Sequence, residues 1–144
     1  PSAVIMLDKL AKSTEFVSIG SNDLTQYTYA ADRMNPRVSY LGDFLDPAVL
    51  RMIKRTIDVS RECGIDCSLC GEMAGDALGL AALVALGIHK VSVSPSGILK
   101  TKKRLSLMDT AALCGTGELM INAEDATEVK MHLLKALPED YALV

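Results

Sequence analysis

Residues 15–23 read EFVSIGSND, a run of β character that leads into a glycine and three polar residues. The same organisation recurs twice further along the chain. Residues 65–69 (IDCSL) are followed by CGEMAGD, and residues 90–94 (KVSVS) are followed by PSG. Short runs rich in apolar residues and bounded by Gly, Ser or Pro are typical of strands. The sequence therefore predicts three strands at residues 15–19, 65–69 and 90–94, each leading into a polar segment.

Helical patterns lie between and after these strands. Asp46 followed by Pro47 is typical of a helix start, and apolar residues continue at helical spacing until Gly64. Four further helices are predicted from similar periodicity and end signals, at residues 2–12, 76–87, 97–108 and 123–137.

The alternation of strands with helices is that of βα units, which implies parallel strands joined by crossover helices. The fold class is therefore α/β. Three strands cannot close a barrel, because a complete eightfold barrel needs roughly 250 residues. We expect at most part of a barrel, whose exposed strand edges would seek a partner.

Composition excludes several classes of function. The chain has 144 residues, of which 49% are hydrophobic and 23% charged, as in an ordinary globular protein. A net charge of −3 gives no general attraction to nucleic acid, and the basic cluster at residues 100–104 is expected to form a solvated helix face. The apolar runs are far shorter than the roughly 20 residues of a membrane span. Four cysteines without a secretory signal favour the reducing cytoplasm, so we expect a cytoplasmic protein with no nucleic-acid or membrane partner.

The polar segments share one position in the predicted fold. Residues 20–23, 70–76 and 94–97 all come directly after a strand. In parallel sheets and barrels the carboxyl ends of the strands converge on one face, where ligands bind and reactions occur. This placement predicts a functional site that several of these segments build together.

The first polar segment has the residues for binding an anion and a cation. Gly20 permits a close backbone approach to a phosphate, and Asp23 could supply a hard oxygen ligand to a metal ion. The alternative is a simple turn at Gly20 with Asn22 or Asp23 capping the next helix. Further on, Arg33 could clamp a phosphate or carboxylate, or else pair with Asp32 on the surface.

The second polar segment begins with Cys70, whose thiol is either exposed for chemistry or a small buried filler. Glu72 and Asp76 could orient it, although Asp76 is better placed as a helix N-cap. The spacing of Cys63, Cys67 and Cys70 also raises the possibility of a metal site. However, Cys67 and Cys70 are an odd number of residues apart in a strand and so face opposite sides. A zinc or iron–sulfur site is therefore not expected.

Two segments resemble the motifs of a known family. Residues 18–27 (SIGSNDLTQY) with residues 31–33 (ADR), and residues 69–76 (LCGEMAGD), are similar to two motifs of the phosphoenolpyruvate-binding domain of enzyme I of the sugar phosphotransferase system and its nitrogen-related paralogue. The resemblance covers most of the chain. It identifies the chain as a member of the phosphoenolpyruvate-utilising enzyme family.

The resemblance implies a (β/α)8 TIM barrel. Residues 1–109 would be its C-terminal portion, with about three parallel βα units, and residues 110–144 a helical tail packed on it. It also implies a phosphoenolpyruvate-protein phosphotransferase, which uses Mg2+ to transfer the phosphoryl group of phosphoenolpyruvate to a histidine and releases pyruvate. An HPr-like phosphocarrier would be its partner through N-terminal domains outside this chain, and the protein would be a homodimer.

The motifs also imply roles for individual residues. Asp23 would be a magnesium ligand, Asn22 and Asp23 would bind the phosphate, and Arg33 would hold the anionic groups of the substrate. Cys70 would be the catalytic acid that protonates the methylene carbon of enolpyruvate. A thiol suits this role because it is mostly protonated at neutral pH.

The chain departs from the family pattern in two respects. Ser21 stands where the family has threonine, which keeps the hydroxyl. The family's second magnesium-binding acid would precede Pro1, so we expect the chain alone not to turn over phosphoenolpyruvate. The alternative function is a non-catalytic module that self-associates into a dimer through its strand edges and C-terminal helices.

Overall fold

The computed structural model describes residues 1–141 of the protein. Within them, β1 (Phe16–Gly20), β2 (Asp66–Cys70) and β3 (Val91–Ser92) form one parallel sheet in the order β1-β2-β3. Phe16 pairs with Asp66 at one end of β1 and Gly20 with Cys70 at the other. The α/β class and the parallel strands are confirmed.

Helices make up most of the remaining described chain. They are α1 (Ser2–Ile5), α2 (Leu7–Leu10), α3 (Ser21–Tyr29), α4 (Pro47–Cys63), α5 (Glu72–Gly75), α6 (Ala77–Leu86), α7 (Ile98–Leu107), α8 (Thr116–Asn122) and α9 (Ala126–Ala136). Short 3-10 turns occur at Ala11–Ser13, Ser39–Leu41 and Pro95–Gly97.

The ends of α4 and α6 follow the predicted signals. The Asp46 carboxylate accepts a hydrogen bond from the backbone N–H of Ala48 at 2.8 Å, with proline at the first helical position. Gly64 ends α4 in the left-handed conformation, with φ of 70°. Asp76 caps α6 in the same way, accepting from Gly79 N–H at 2.8 Å. Local end signals therefore set these boundaries.

The predicted single helix at residues 2–12 is wrong. The chain breaks at Met6, where φ is −95° and ψ is 10°, and continues as two short helices and a 3-10 turn. The guanidinium of Arg55 in α4 donates hydrogen bonds to the carbonyls of Val4, at 3.1 Å, and Ile5, at 3.0 Å. These carbonyls are engaged by α4, which explains why a continuous helix does not form.

Three other predictions need correction. The strand predicted at residues 90–94 is only two residues long, because β2 ends at Cys70 and leaves the later residues without a pairing partner. Helices α5 and α8 were not predicted, and α3 was considered only as the next helix that Asn22 or Asp23 would cap. The last helix runs over Ala126–Ala136 rather than 123–137, since Asp125 caps it by accepting from Thr127 N–H.

The two faces of the sheet differ in character. Ile19 and Leu69 are buried in the layer of helices that covers one face. By the alternation of side chains, the opposite face carries small or polar residues apart from Phe16, which is 65% exposed. This open face consists of Phe16, Ser18, Gly20, Asp66, Ser68, Cys70 and Ser92.

The core lies between the sheet and its helices and extends into the C-terminal segment. Met120 of α8 and Leu133 of α9 are fully buried in the same cluster as Leu50 and Leu83. The backbone carbonyl of Ile121 accepts a hydrogen bond from the side chain of an arginine in α4. The helical tail thus packs on α4 and α6, while the division at residue 109 stays a prediction.

Candidate functional site

The first and second polar segments lie side by side. Because Gly20 and Cys70 are paired ends of β1 and β2, α3 and α5 begin next to each other. The hydroxyl of Ser21, which is fully buried, donates to the carbonyl of Cys70 at 3.0 Å. Ser21 therefore ties the start of α3 to the end of β2.

Asn22 and Glu72 join the two segments a second time. The backbone N–H of Glu72 donates to Oδ1 of Asn22 at 3.1 Å, and Nδ2 of Asn22 donates to Oε1 of Glu72 at 3.4 Å. The expectation that Asn22 or Asp23 caps the next helix is wrong, since α3 has Gly20 at the N-cap position and no side-chain cap. Asn22 uses its amide to hold the neighbouring segment instead.

Gly71 makes this close approach possible. Its φ is 111°, a conformation that residues with a side chain rarely adopt. A Cβ at this position would lie 2.3 Å from Oγ of Ser21 and 3.0 Å from Oδ1 of Asn22. Both the backbone conformation and the space require glycine here.

Asp23 lies at the edge of a different cavity. Its carboxylate is exposed in the first turn of α3 and, within residues 1–141, makes no hydrogen bond or ion pair. It borders a groove of about 550 Å³ along the free edge of β1, which is also lined by Gly20, Tyr27 and apolar residues of α1 and α2. The carboxylate is therefore free to bind a ligand.

Asp23 is the candidate ligand for a metal ion. No group of three His, Cys, Asp or Glu side chains that could hold one occurs in the described part of the chain. Mg2+ is commonly held by one or two carboxylates together with substrate phosphate and water. Asp23 fits that kind of site as one ligand.

Arg33 lies in the loop after α3, which ends at Ala30 in the left-handed conformation. Its exposed side chain borders a small cavity of about 80 Å³ that Asn22 and Glu72 also line. Asp32 instead accepts a hydrogen bond from the backbone of Met34, and no ion pair between Asp32 and Arg33 occurs in residues 1–141. The structure thus brings Arg33 near the pair of Asn22 and Glu72, while Asp23 borders the separate groove.

The Cys70 thiol is half-buried on the open face of the sheet, outside the hydrophobic core. The Ser18 hydroxyl donates to its Sγ at 4.0 Å, a long and weak contact. Cys67 points the other way and packs against the core, where burial raises the pKa of its thiol. The four cysteines are all free thiols.

Two residues contribute more to this region than the sequence indicated. Ser21 was noted only as a hydroxyl in the motif, and it bridges the two strand ends. Arg104 was expected on a solvated face, yet it is only 5% exposed and donates to the carbonyl of Gly75 at 2.7 Å. Helical spacing gave no signal for this burial, because the residue three positions before Arg104 is the polar Thr101.

Comparison with known proteins identifies the family. Residues 1–110 match the family model described as PEP-utilising enzyme, PEP-binding domain. Relatives named phosphoenolpyruvate-protein phosphotransferase include one from Listeria monocytogenes, 43% identical over 90% of this chain and 23% of its own length. One from Enterococcus faecalis is 40% identical over 98% of this chain and 24% of its own length. One from Geobacillus stearothermophilus is 42% identical over 90% of this chain and 22% of its own length.

The chain spans less than a quarter of the length of each of these three relatives. The match of the family model nevertheless extends over most of the chain and includes β1, β2, β3 and the three polar segments described above. The chain therefore belongs to the family of phosphoenolpyruvate-utilising enzymes, whose phosphoenolpyruvate-binding domain it matches.

Proposed function

We propose that this chain is part of a phosphoenolpyruvate-protein phosphotransferase and that residues 20–33 and 69–76 form part of its substrate site. The observation that carries the proposal is the double connection between these segments, through Ser21 to Cys70 and through Asn22 to Glu72. It occurs at the carboxyl ends of parallel strands, where α/β enzymes place their reactive groups.

The proposal places the three βα units in the C-terminal portion of a TIM barrel. Two features support this placement. Helices cover one face of the sheet and leave the other face open, as in a barrel whose helices form an outer ring. In the described chain β1 and β3 each pair only with β2, so both outer edges are available for further strands.

Asn22 and Arg33 would bind the substrate's anionic groups. An amide nitrogen carries two N–H donors, so Asn22 Nδ2 can donate one to Glu72 and the other to a phosphate oxygen. The negative charge of Glu72 opposes an anion, and the guanidinium of Arg33 beside the same cavity compensates for it. The cavity thus has a fixed hydrogen-bond donor and a mobile cation.

Asp23 would hold Mg2+ by one carboxylate oxygen. When bound, the ion would neutralise charge on the phosphoryl group during its transfer to a histidine outside this chain. Cys70 would then give the proton on its Sγ to the methylene carbon of enolpyruvate, forming pyruvate and leaving a thiolate. The nearby Ser18 hydroxyl would stabilise this thiolate by hydrogen bonding.

The proposed partners follow from the same function. They are phosphoenolpyruvate, pyruvate, an HPr-like phosphocarrier and a second copy of the chain. A location in the cytoplasm is part of this proposal and agrees with the four free thiols. Among residues 1–141, no helix has the length and apolarity needed to cross a membrane.

The function is best tested in a chimera, because the chain covers only 23% of the Listeria monocytogenes relative. In this chimera the chain replaces the matching segment of that relative. We expect Mg2+-dependent formation of pyruvate from phosphoenolpyruvate, measured with lactate dehydrogenase, and none by the chain alone. A folded chimera that forms no pyruvate would contradict the proposal. Pyruvate formation by the chain alone at the chimera's rate would contradict the expectation that it is inactive.

A second candidate function is self-association. The free edge of β1 borders the apolar groove, and Tyr27, which lines that groove, is 68% exposed. Unpaired strand edges next to apolar surface favour association. Sedimentation equilibrium tests this: a tight dimer unaffected by phosphoenolpyruvate, Mg2+ or Asp23→Asn would favour the second function over the first.

A further inference from the structure

Arg104 is the only charged residue that is buried within residues 1–141. Its Nη1 donates to the carbonyl of Gly75 at 2.7 Å, whereas its Nε is buried without a hydrogen-bond partner in the described chain. A buried guanidinium with an unused donor opposes folding unless its remaining contacts compensate. This arginine is therefore difficult to explain by stability alone.

The surroundings of Arg104 are the junction between α5 and α6. Tyr141 is 1% exposed and donates to the carbonyl of Ala77 at 3.1 Å. Burial raises the pKa of Tyr141 to about 12, the Arg104 guanidinium opposes this increase and the Asp76 carboxylate adds to it. Arg104, Tyr141 and Asp76 thus lie close together around the backbone that connects α5 to α6.

This junction is the far end of the segment that begins at Cys70. Glu72, at the start of α5, is held by Asn22, and Gly75, at the end of α5, is held by Arg104. Between them, Met73 is fully buried. Asn22 therefore holds α5 at its first residue, and Arg104 holds it at its last residue.

We propose that Arg104 is a positioning residue, which fixes the segment of residues 70–76 and thereby the place of the Cys70 thiol. The functional meaning of this segment rests on the proposed function, whereas the anchoring itself does not. A guanidinium suits the task because its planar set of donors is rigid and cannot lose its charge. Displacing Gly75 would leave its carbonyl and this guanidinium without their hydrogen bond, which opposes other arrangements of the backbone.

The test measures how fast iodoacetamide labels Cys70 in the chain, far below its melting temperature, with fragment mass spectra locating the label. Arg104→Met removes the anchor, Arg104→Lys keeps a cation, and Lys103→Met changes an exposed neighbour. The exposed Cys114 is the internal reference. We expect Arg104→Met to increase the labelling rate of Cys70 by about threefold or more, Arg104→Lys to restore part of the protection, and Lys103→Met to have no effect.

A folded Arg104→Met variant with unchanged labelling of Cys70 overturns the inference. If that variant fails to fold, Arg104→Lys provides the test, and wild-type labelling of Cys70 in that variant overturns the inference. Since labelling needs no phosphoenolpyruvate, it is independent of the proposed function. Faster labelling together with an inactive wild-type chimera supports the anchoring and contradicts the proposed function.

Discussion

Asn22 and Glu72 hold each other across the ends of β1 and β2, with the backbone N–H of Glu72 3.1 Å from Oδ1 of Asn22 and Nδ2 of Asn22 3.4 Å from Oε1 of Glu72. The pair connects residues separated by 50 positions in sequence. It fixes the geometry of the two segments that match the family.

Two substitutions of Asn22 test the two hydrogen bonds that it forms with Glu72. Asn22→Asp keeps the acceptor for Glu72 N–H but places two carboxylates together, whereas Asn22→Ala removes both contacts. We expect each variant to lower the free energy of unfolding by roughly 1 kcal/mol, the usual contribution of such a hydrogen bond. Urea unfolding at pH 7 checks this, and wild-type stability in both variants would contradict the expectation.

Gly71 offers a sharp test of the close approach between segments. A Cβ in Gly71→Ala would meet Oγ of Ser21 at 2.3 Å and stand on a backbone with φ of 111°. We expect a loss of about 2–4 kcal/mol in the free energy of unfolding, from backbone strain and overpacking.

Gly20→Ala is the matched control for Gly71→Ala. A Cβ on Gly20 would meet nothing within 4 Å, and its φ of −84° suits alanine. This variant should therefore be unchanged or stabilised by about 0.5 kcal/mol. Similar losses in the two variants, measured by urea unfolding, would contradict the described geometry.

The buried hydroxyl of Tyr141 should make the free energy of unfolding depend on pH in alkaline solution. Burial, together with the Asp76 carboxylate, raises the pKa of Tyr141 to about 12, against the opposing effect of Arg104. Between pH 10 and pH 12 the unfolded chain loses the phenolic proton while the folded chain keeps it, so stability falls as pH rises through this window. Tyr141→Phe removes this loss, along with the hydrogen bond to Ala77.

Urea unfolding of both proteins from pH 8 to pH 12 is the measurement for Tyr141. The wild type should be more stable at pH 8, by about 1 kcal/mol for the lost hydrogen bond, and the difference should shrink above pH 10. A difference that stays constant up to pH 12 would show that the hydroxyl is not protected in the folded state.

Cys70→Ala in the chimera tests the proposed proton donor. Without the thiol, pyruvate formation should fall by about 100-fold or more, since a positioned general acid contributes typically a factor of 100 to 10,000. Binding of phosphoenolpyruvate, measured by calorimetry, should change little. Cys114→Ala is the control, because that thiol is exposed in the segment between α7 and α8. Equal rates in both variants would exclude the role proposed for Cys70.

Local patterns predicted much of the fold. Asp46 and Gly64 set the ends of α4, and the alternation of strands with helices predicted the parallel sheet. Local patterns could not show contacts with residues distant in sequence. Arg55 donates hydrogen bonds to two carbonyls of α1, and β3 is short because its partner strand β2 ends at Cys70.

The sequence predicted that the two polar segments adjoin, but it predicted their contacts only in part. The position of Asn22 after a strand indicated the correct edge of the sheet, but its partner Glu72 depends on the strand register. Arg104 was missed because a basic cluster usually indicates a solvated face, whereas here one member of the cluster turns toward Gly75. Whether Asn22, Asp23, Arg33 and Cys70 act on substrate stays a prediction.

The most direct measurement of the proposed function compares Asp23→Asn with Glu62→Gln in the chimera, by the dependence of pyruvate formation on Mg2+ concentration. Each change removes one exposed carboxylate, Asp23 at the carboxyl ends of the strands and Glu62 in the last turn of α4 before β2. We predict that Asp23→Asn lowers kcat/KM by about 100-fold or more and raises the Mg2+ concentration for half-maximal rate, while Glu62→Gln behaves as the unmodified chimera. Wild-type kinetics and Mg2+ dependence in Asp23→Asn would contradict the proposal.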